Sequence, residues 1–244
     1  MASRRNVSDR RRSRPVTKKS TTHKIKRNKP AMALVIIIIL MLIFSTFYVV
    51  FSSFGNTNGS NNVSTGSYKN DPHYVSALAE TEYPVVVIEL SEEKAIAIEL
   101  YNDEMPITCQ NFIDLVEREF YNGMIFHRVM DEFMIQAGKS FPDGTTKTSP
   151  FGDIVFETSS IQHVDGAISM ASRGDQVGGS SEFFICDGPQ TGLDGRYAAF
   201  GQTIYGMQHV RSIADEPHDS SFGSVGGGKP YNDIIINSIE IINE

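Results

Sequence analysis

MIFHRVM (124–130) and FMIQAG (133–138) decide the reading of this chain: two short apolar runs set between Gly123 and Gly138, of strand length and too brief for helices. The same pattern recurs downstream in GAISMAS (166–172), FFICDG (183–188) and AAFGQTIYG (198–206), and a longer run, DIIINSIEIIN (233–243), follows near the end. Upstream, PVVVIEL (84–90) and KAIAIEL (94–100) alternate apolar and polar residues in their later halves. Only Ser91-Glu-Glu93 separates them, which predicts a hairpin. Helical signals are few. Pro106 opens ITCQNFIDLVEREF, with Ile107, Phe112, Leu115 and Val116 at helical spacing, and a second short helix is expected from Met207 to Ala214. Many short strands, glycine-rich turns and only two helices predict an all-β barrel or sandwich over 81–244, long enough for one core.

The first eighty residues are of another kind. Twelve of the 22 Lys/Arg and only one of the 29 acids, Asp9, fall in residues 1–30, so this tail carries about +11 and the remainder about −18. Residues 31–51, AMALVIIIILMLIFSTFYVVF, hold no charge. At about 1.5 Å per residue they span the roughly 30 Å hydrocarbon core as one transmembrane helix. The run is longer than a signal-peptide core and ends in Phe51-Ser-Ser-Phe54 rather than a small-x-small site, so an uncleaved anchor is expected. Basic flanks mark the cytoplasmic side, which places the tail inside and the rest outside the cell membrane as a single-pass protein. No folded reader or interleaved aromatics accompany the tail, and no nucleic-acid partner is expected. Residues 52–80, rich in Gly, Asn and Ser up to Tyr74, are read as a flexible linker. Cys109 and Cys186 allow either a disulfide or two buried small hydrophobes.

Several chemistries are excluded by spacing. Gly223-Ser-Val-Gly-Gly-Gly-Lys229 fits the phosphate-cradle pattern formally, yet Pro230 stands where Ser/Thr should hold magnesium and a strand follows instead of a helix. The six histidines show no metal-ligand spacing, and neither a metal nor a cofactor is expected. No G-x-S-x-G elbow is present for a serine nucleophile. Binding, or chemistry that needs no nucleophile, remains.

Phe126-His-Arg-Val-Met130, Phe133-Met-Ile-Gln-Ala-Gly138, Ser169-Met-Ala171, Gly179-Ser-Ser-Glu-Phe-Phe-Ile-Cys186, Leu193-Asp-Gly195 and Phe200-Gly201 occur in that order. Together they resemble the signature of the cyclophilins, a family of peptidyl-prolyl cis/trans isomerases, over roughly Val85 to Ile242. The resemblance implies a closed eight-stranded antiparallel barrel capped by two helices, with a substrate groove on its outer face. It assigns Arg128 and Gln136 to catalysis. Phe133, Met134, Phe184 and Leu193 match the apolar pocket for proline, Ala171 the residue whose backbone pairs with the peptide, and Glu182 and Tyr197 complete the substrate-binding set. Phe126 is read as core and His127 as structural.

The reaction suits these residue types. Rotation about an X-Pro bond meets a barrier of about 18–20 kcal/mol and takes tens to hundreds of seconds unaided. Reaching milliseconds requires roughly 5.5–7 kcal/mol. One charge-assisted hydrogen bond contributes only about 1.5–3 kcal/mol, so several effects must combine. In the twisted state the prolyl nitrogen recovers its lone pair and accepts a hydrogen bond, for which a permanently charged guanidinium is a suitable donor. Three departures from the family pattern stand out. Glu182 replaces a glutamine and is expected either to pair with Arg128 or Arg173 or to hinder the guanidinium. Gly192 replaces a tryptophan important for cyclosporin contact in some relatives, and Tyr197 replaces a histidine. The expected activity is isomerisation of proline-containing polypeptides during folding of exported proteins, by a monomer, at a bacterial-like surface. A holdase that grips proline segments without turnover is the second reading.

Overall fold

The computed structural model describes residues 67–158, 160–174 and 176–243. The basic tail (1–30), the expected transmembrane anchor (31–51) and the start of the expected linker lie outside the described residues. Among the described residues no helix is long and apolar enough to cross a membrane.

Eight strands form one antiparallel sheet: β1 (Val85–Ser91), β2 (Lys94–Leu100), β3 (Arg128–Met130), β4 (Met134–Ala137), β5 (Ala167–Met170), β6 (Phe183–Cys186), β7 (Ala198–Tyr205) and β8 (Ser238–Asn243). Their order is β3-β4-β6-β5-β7-β2-β1-β8. The expected hairpin is β1–β2, in register from Val85 opposite Glu99 to Ser91 opposite Lys94. Alternation sends Ile88, Ile96, Ile98, Val129, Ile135, Ile168, Phe183 and Phe200 into one buried core.

The sheet curls but is not the closed barrel expected, because β3 and β8 do not pair. The free edge of β3 is already occupied: Val129 and a downstream glycine, Gly228, exchange main-chain hydrogen bonds of 2.9 and 3.1 Å. The seam is bridged only ahead of the two strands. There Gly123 N–H donates to Ile236 O (2.8 Å), Ile236 N–H to Met124 O (2.8 Å) and Phe126 N–H to Ile234 O (3.1 Å).

Among the described residues three α-helices accompany the sheet, one more than the two expected over 81–244: α1 (Pro72–Ala79), α2 (Pro106–Glu117) and α3 (Met207–Ala214). Helix α2 buries Cys109, Phe112, Leu115 and Val116, and the Phe112 ring meets Tyr121, Phe183 and Phe200 at 5.2–5.4 Å. Its capping residue, Met105, offers no side-chain acceptor. The Glu157 carboxylate takes that place, accepting from Ile107 N–H (3.0 Å) and Thr108 N–H (2.6 Å). Helix α3 adds Val210, Ile213 and Ala214 to the same core.

Helix α1 corrects the expected linker, since residues 68–79 are packed structure. Asp71 accepts from His73 N–H at 2.9 Å to cap the helix, with Pro72 at its first position. Tyr68 and Tyr74 are buried over Val85, Val87, Ala95 and Ala97, the outward residues of β1 and β2. Edge-to-face contacts of 5.3 Å run from Tyr68 to Tyr74 and from Tyr74 to Tyr205. The hydroxyls of Tyr68 and Tyr205 donate to Glu89 (3.0 Å) and Asp71 (2.9 Å). The physical reason is visible in β1: Val85-Val-Val-Ile88 is apolar on both faces, and its outer face needs a cover.

Both cysteines are free and buried, which excludes the disulfide. Burial, aided by nearby carboxylates, pushes each thiol up to about 12.

Candidate active site

Register assembles the site. Arg128 on β3 stands opposite Gln136 on β4, Gln136 opposite Phe184 on β6, and Phe184 opposite Ser169 on β5. Cross-strand partners share a face, so these side chains form one row on the side away from the core. Met134 lies two residues from Gln136 and on the same face. A second apolar cluster forms there: Met134, Phe184 and Cys186 are buried, with Phe133, Ala171, Leu193 and Tyr197 packed against them.

The row opens into a slot of about 180 Å³. Met134 and Phe184 make its deepest surface, while Phe133, Leu193 and Tyr197 stand half-buried around it. The Tyr197 ring meets Phe184 edge-on at 5.9 Å. Arg128, Gln136, Ala171 and Ser172 supply its polar rim. Ala171 N–H already donates to Glu182 O at 2.9 Å, so the carbonyl is its remaining main-chain hydrogen-bonding group. Gly192, at the tryptophan position, has open space around it.

Arg128 is half-buried, and desolvation draws its pKa below the usual value, opposed by the nearby Tyr197. Its Nε donates to Gly226 O (3.1 Å) and its Nη2 to Val225 O and Gly226 O (both 2.9 Å). The guanidinium carbon lies 6.0 Å from the Phe133 ring centre and 5.0 Å from that of Phe222. Phe222 also lines the slot, a site residue that the sequence does not point to. Its only signal is its place one residue before the glycine-rich stretch 223–228.

Glu182 neither pairs with Arg128 nor with Arg173, contrary to expectation. Arg173 meets Asp153 at 3.5 Å, and Arg128 is held by carbonyls. Glu182 instead accepts from Gln136 Nε2 (3.0 Å) and stands 3.4 Å from both His127 Nε2 and Lys139 Nζ. It lines a neighbouring cavity of about 360 Å³ that shares Gln136, Ala171 and Ser172 with the slot, not the slot itself. Burial acts to raise its pKa, but hydrogen bonds from His127 and Gln136 and the Lys139 charge outweigh it and hold the carboxyl below its ordinary value. Phe126 is wholly buried in the core.

Behind the slot lies a further group absent from the sequence reading. His163 is buried; its Nδ1 and main-chain N–H meet Asp194 Oδ1 at 2.9 and 2.8 Å, and its Nε2 meets Ser169 Oγ at 3.0 Å. Ser169 is wholly buried, so this Ser-His-Asp arrangement gives no substrate access to a nucleophile. It is a support: the imidazole stacks on Phe184 at 5.9 Å and 12°, and Asp194 holds the turn that carries Leu193. Burial pushes the His163 pKa down, against the opposing effect of Asp194.

An apolar slot sized for a small ring, with a charged donor at its rim and no nucleophile among its lining residues, marks a protein that binds a ligand and acts on it without a covalent intermediate. Residues 85–241 match the family model described as cyclophilin type peptidyl-prolyl cis-trans isomerase/CLD. The chain belongs to this family of enzymes. It is 39% identical over 129 residues to a peptidyl-prolyl cis-trans isomerase of Schizosaccharomyces pombe, covering 52% of this chain and 83% of the relative. It is 41% identical over 113 residues to a peptidyl-prolyl cis-trans isomerase of Synechococcus elongatus, covering 46% of this chain and 76% of the relative. Among solved structures it resembles a cyclophilin type peptidyl-prolyl cis-trans isomerase of Cryptosporidium parvum. The TM-score is 0.58 at 29% identity, over 66% of this chain and 99% of that one. A structure of the same relative in the presence of the dipeptide Ala-Pro gives a TM-score of 0.56 at 28% identity, with the same coverage.

Proposed function

We propose that the chain is a membrane-anchored, monomeric prolyl isomerase that acts outside the cell on exported proteins, with Arg128 stabilising the half-rotated prolyl amide. The observation that carries the reading is the Arg128 guanidinium at the rim of the slot formed by Phe133, Met134, Phe184 and Leu193. The slot holds the proline ring while Gln136 and the Ala171 carbonyl fix the adjoining backbone, so rotation occurs between two held ends. As the amide twists, its nitrogen becomes an acceptor and the guanidinium donates to it. Partial burial of Arg128 strengthens that bond where charge density develops. The relative solved with Ala-Pro supports a proline-containing ligand for this slot. The uncharged run 31–51 after a basic tail supports the anchor and the outward placement.

A proline-isomerisation assay on the full-length chain tests the chemistry. Arg128→Ala removes a bond worth about 1.5–3 kcal/mol and is expected to lower kcat/KM about 10- to 150-fold. Equal rates in the two proteins would sink the mechanism. Protease treatment of intact cells tests the topology: residues 81–244 should be digested or released from outside, and their full protection would refute the placement.

A further inference from the structure

The stretch Gly223–Lys229 fits a phosphate cradle by spacing, but it turns carbonyls rather than N–H groups toward its neighbour, and that neighbour is a cation. We propose that the loop Asp219–Lys229 is a positioning element that locks the Arg128 guanidinium in its working orientation and leaves only Nη1 free to reach the prolyl nitrogen. This inference rests on the role given to Arg128 above and deepens it.

The donors are accounted for one by one. Nε–H is committed to Gly226 O, and the two hydrogens of Nη2 to Val225 O and Gly226 O. Nη1 has no partner among the described residues, so its two hydrogens are the ones a substrate can use. Phe222 lies against the same guanidinium at 5.0 Å and forms part of the slot wall, so one loop sets both the donor and the surface beside it.

The loop is itself held firmly. Gly228 exchanges two main-chain hydrogen bonds with Val129, the residue next to Arg128. That approach admits no side chain: a Cβ on Gly227 would stand 2.5 Å from Val129 O, and one on Gly228 would stand 1.8 Å from Asp219 O. Asp219 closes the base, its Oδ1 accepting from Ser221 N–H (2.9 Å), Lys229 N–H (2.8 Å) and the Ser221 hydroxyl. The main chain adds Asp219 N–H to Lys229 O at 2.9 Å. A clamp of this kind places a charged donor before the substrate arrives, which is the form of preorganisation that raises turnover more than affinity.

The test uses the full-length chain with Asp219→Ala, which loosens the loop base without touching the slot, and Phe222→Leu, which removes the ring beside the guanidinium. Each is made alone and combined with Arg128→Ala, and kcat, KM and the thermal midpoint are measured. Asp219→Ala is expected to lower kcat about tenfold or more with KM changed less than about twofold. In the Arg128→Ala background neither loop change should lower kcat further, because the orientation they set belongs to the missing group, while Phe222→Leu, which also alters the slot wall, should raise KM in both backgrounds. Full kcat in both loop variants, or losses that multiply with that of Arg128→Ala, would overturn the positioning role while leaving Arg128 catalytic. Full activity in Arg128→Ala alone would overturn both readings. If Asp219→Ala unfolds, Phe222→Leu carries the same comparison.

Discussion

Glu182→Gln isolates the charge that departs from the family pattern. The carboxylate has three partners: Gln136 Nε2 at 3.0 Å, and His127 Nε2 and Lys139 Nζ at 3.4 Å. Lys139 is half exposed, so its pairing contributes at most about 1 kcal/mol. A neutral amide keeps an acceptor for Gln136 but gives up charge assistance, a loss of about 1 kcal/mol. The expected destabilisation is about 1–2 kcal/mol, or roughly 2–8 °C in Tm for a domain of this size. Arg128 has no bond to Glu182, so kcat/KM should equal or exceed that of the natural protein. The pH dependence has a defined sign. The folded carboxyl lies below its unfolded value of about 4.3, so its stabilisation is complete above that pH and is lost as pH falls through the folded value. The Tm gap between the two proteins should therefore narrow below about pH 4. The measurements are isomerisation rates at neutral pH and thermal melts from acid to neutral pH. A fall in kcat/KM of more than about tenfold with Tm unchanged would mean that the carboxylate acts in the reaction, and the reasoning above would be wrong.

His163→Gln removes the ring stacked on Phe184 and should reduce both Tm and kcat/KM, with about 1–3 kcal/mol lost where Ser169 or Asp194 is left unpaired. Because folding lowers the His163 pKa, the natural protein should lose stability as pH falls below about 6.5, and melts of the variant should show a weaker slope there. Glu157→Gln weakens the acceptor for Ile107 and Thr108 and should cost about 0.5–2 kcal/mol in denaturant titration, with activity retained. Cys109 and Cys186, buried and raised to about 12, should resist thiol reagents in the folded protein and react only on unfolding, as mass spectrometry would register.

Much of this was legible because it is local. The alternation in 84–100 yields the hairpin, and Pro106 with Phe112 and Leu115 yields α2. The functional row Arg128, Gln136 and Phe184 follows once the short runs are recognised as neighbouring strands, since register alone brings the three together. What the chain does not write locally was missed. Glu157 caps a helix that begins about fifty positions earlier, and Lys139 reaches Glu182 across a gap of similar length. Helix α1 looks like linker in the sequence because it buries only Tyr74 and its signal sits elsewhere, in the two-sided apolar face of β1. Closure of the barrel was expected from the family pattern, but the glycines at 227 and 228 let a loop press against β3 where a strand would have paired.

The tyrosine-bearing strap at 67–79 alters where this domain can be cut. A soluble version begun at position 81 or 85, as the matched region invites, would strip the cover from Val85, Val87, Ala95 and Ala97 and leave a greasy outer wall facing solvent. Such a wall invites self-association. Versions that begin at or before Ser67 keep it covered, and they are the ones in which the domain's chemistry can be studied without the protein adhering to itself.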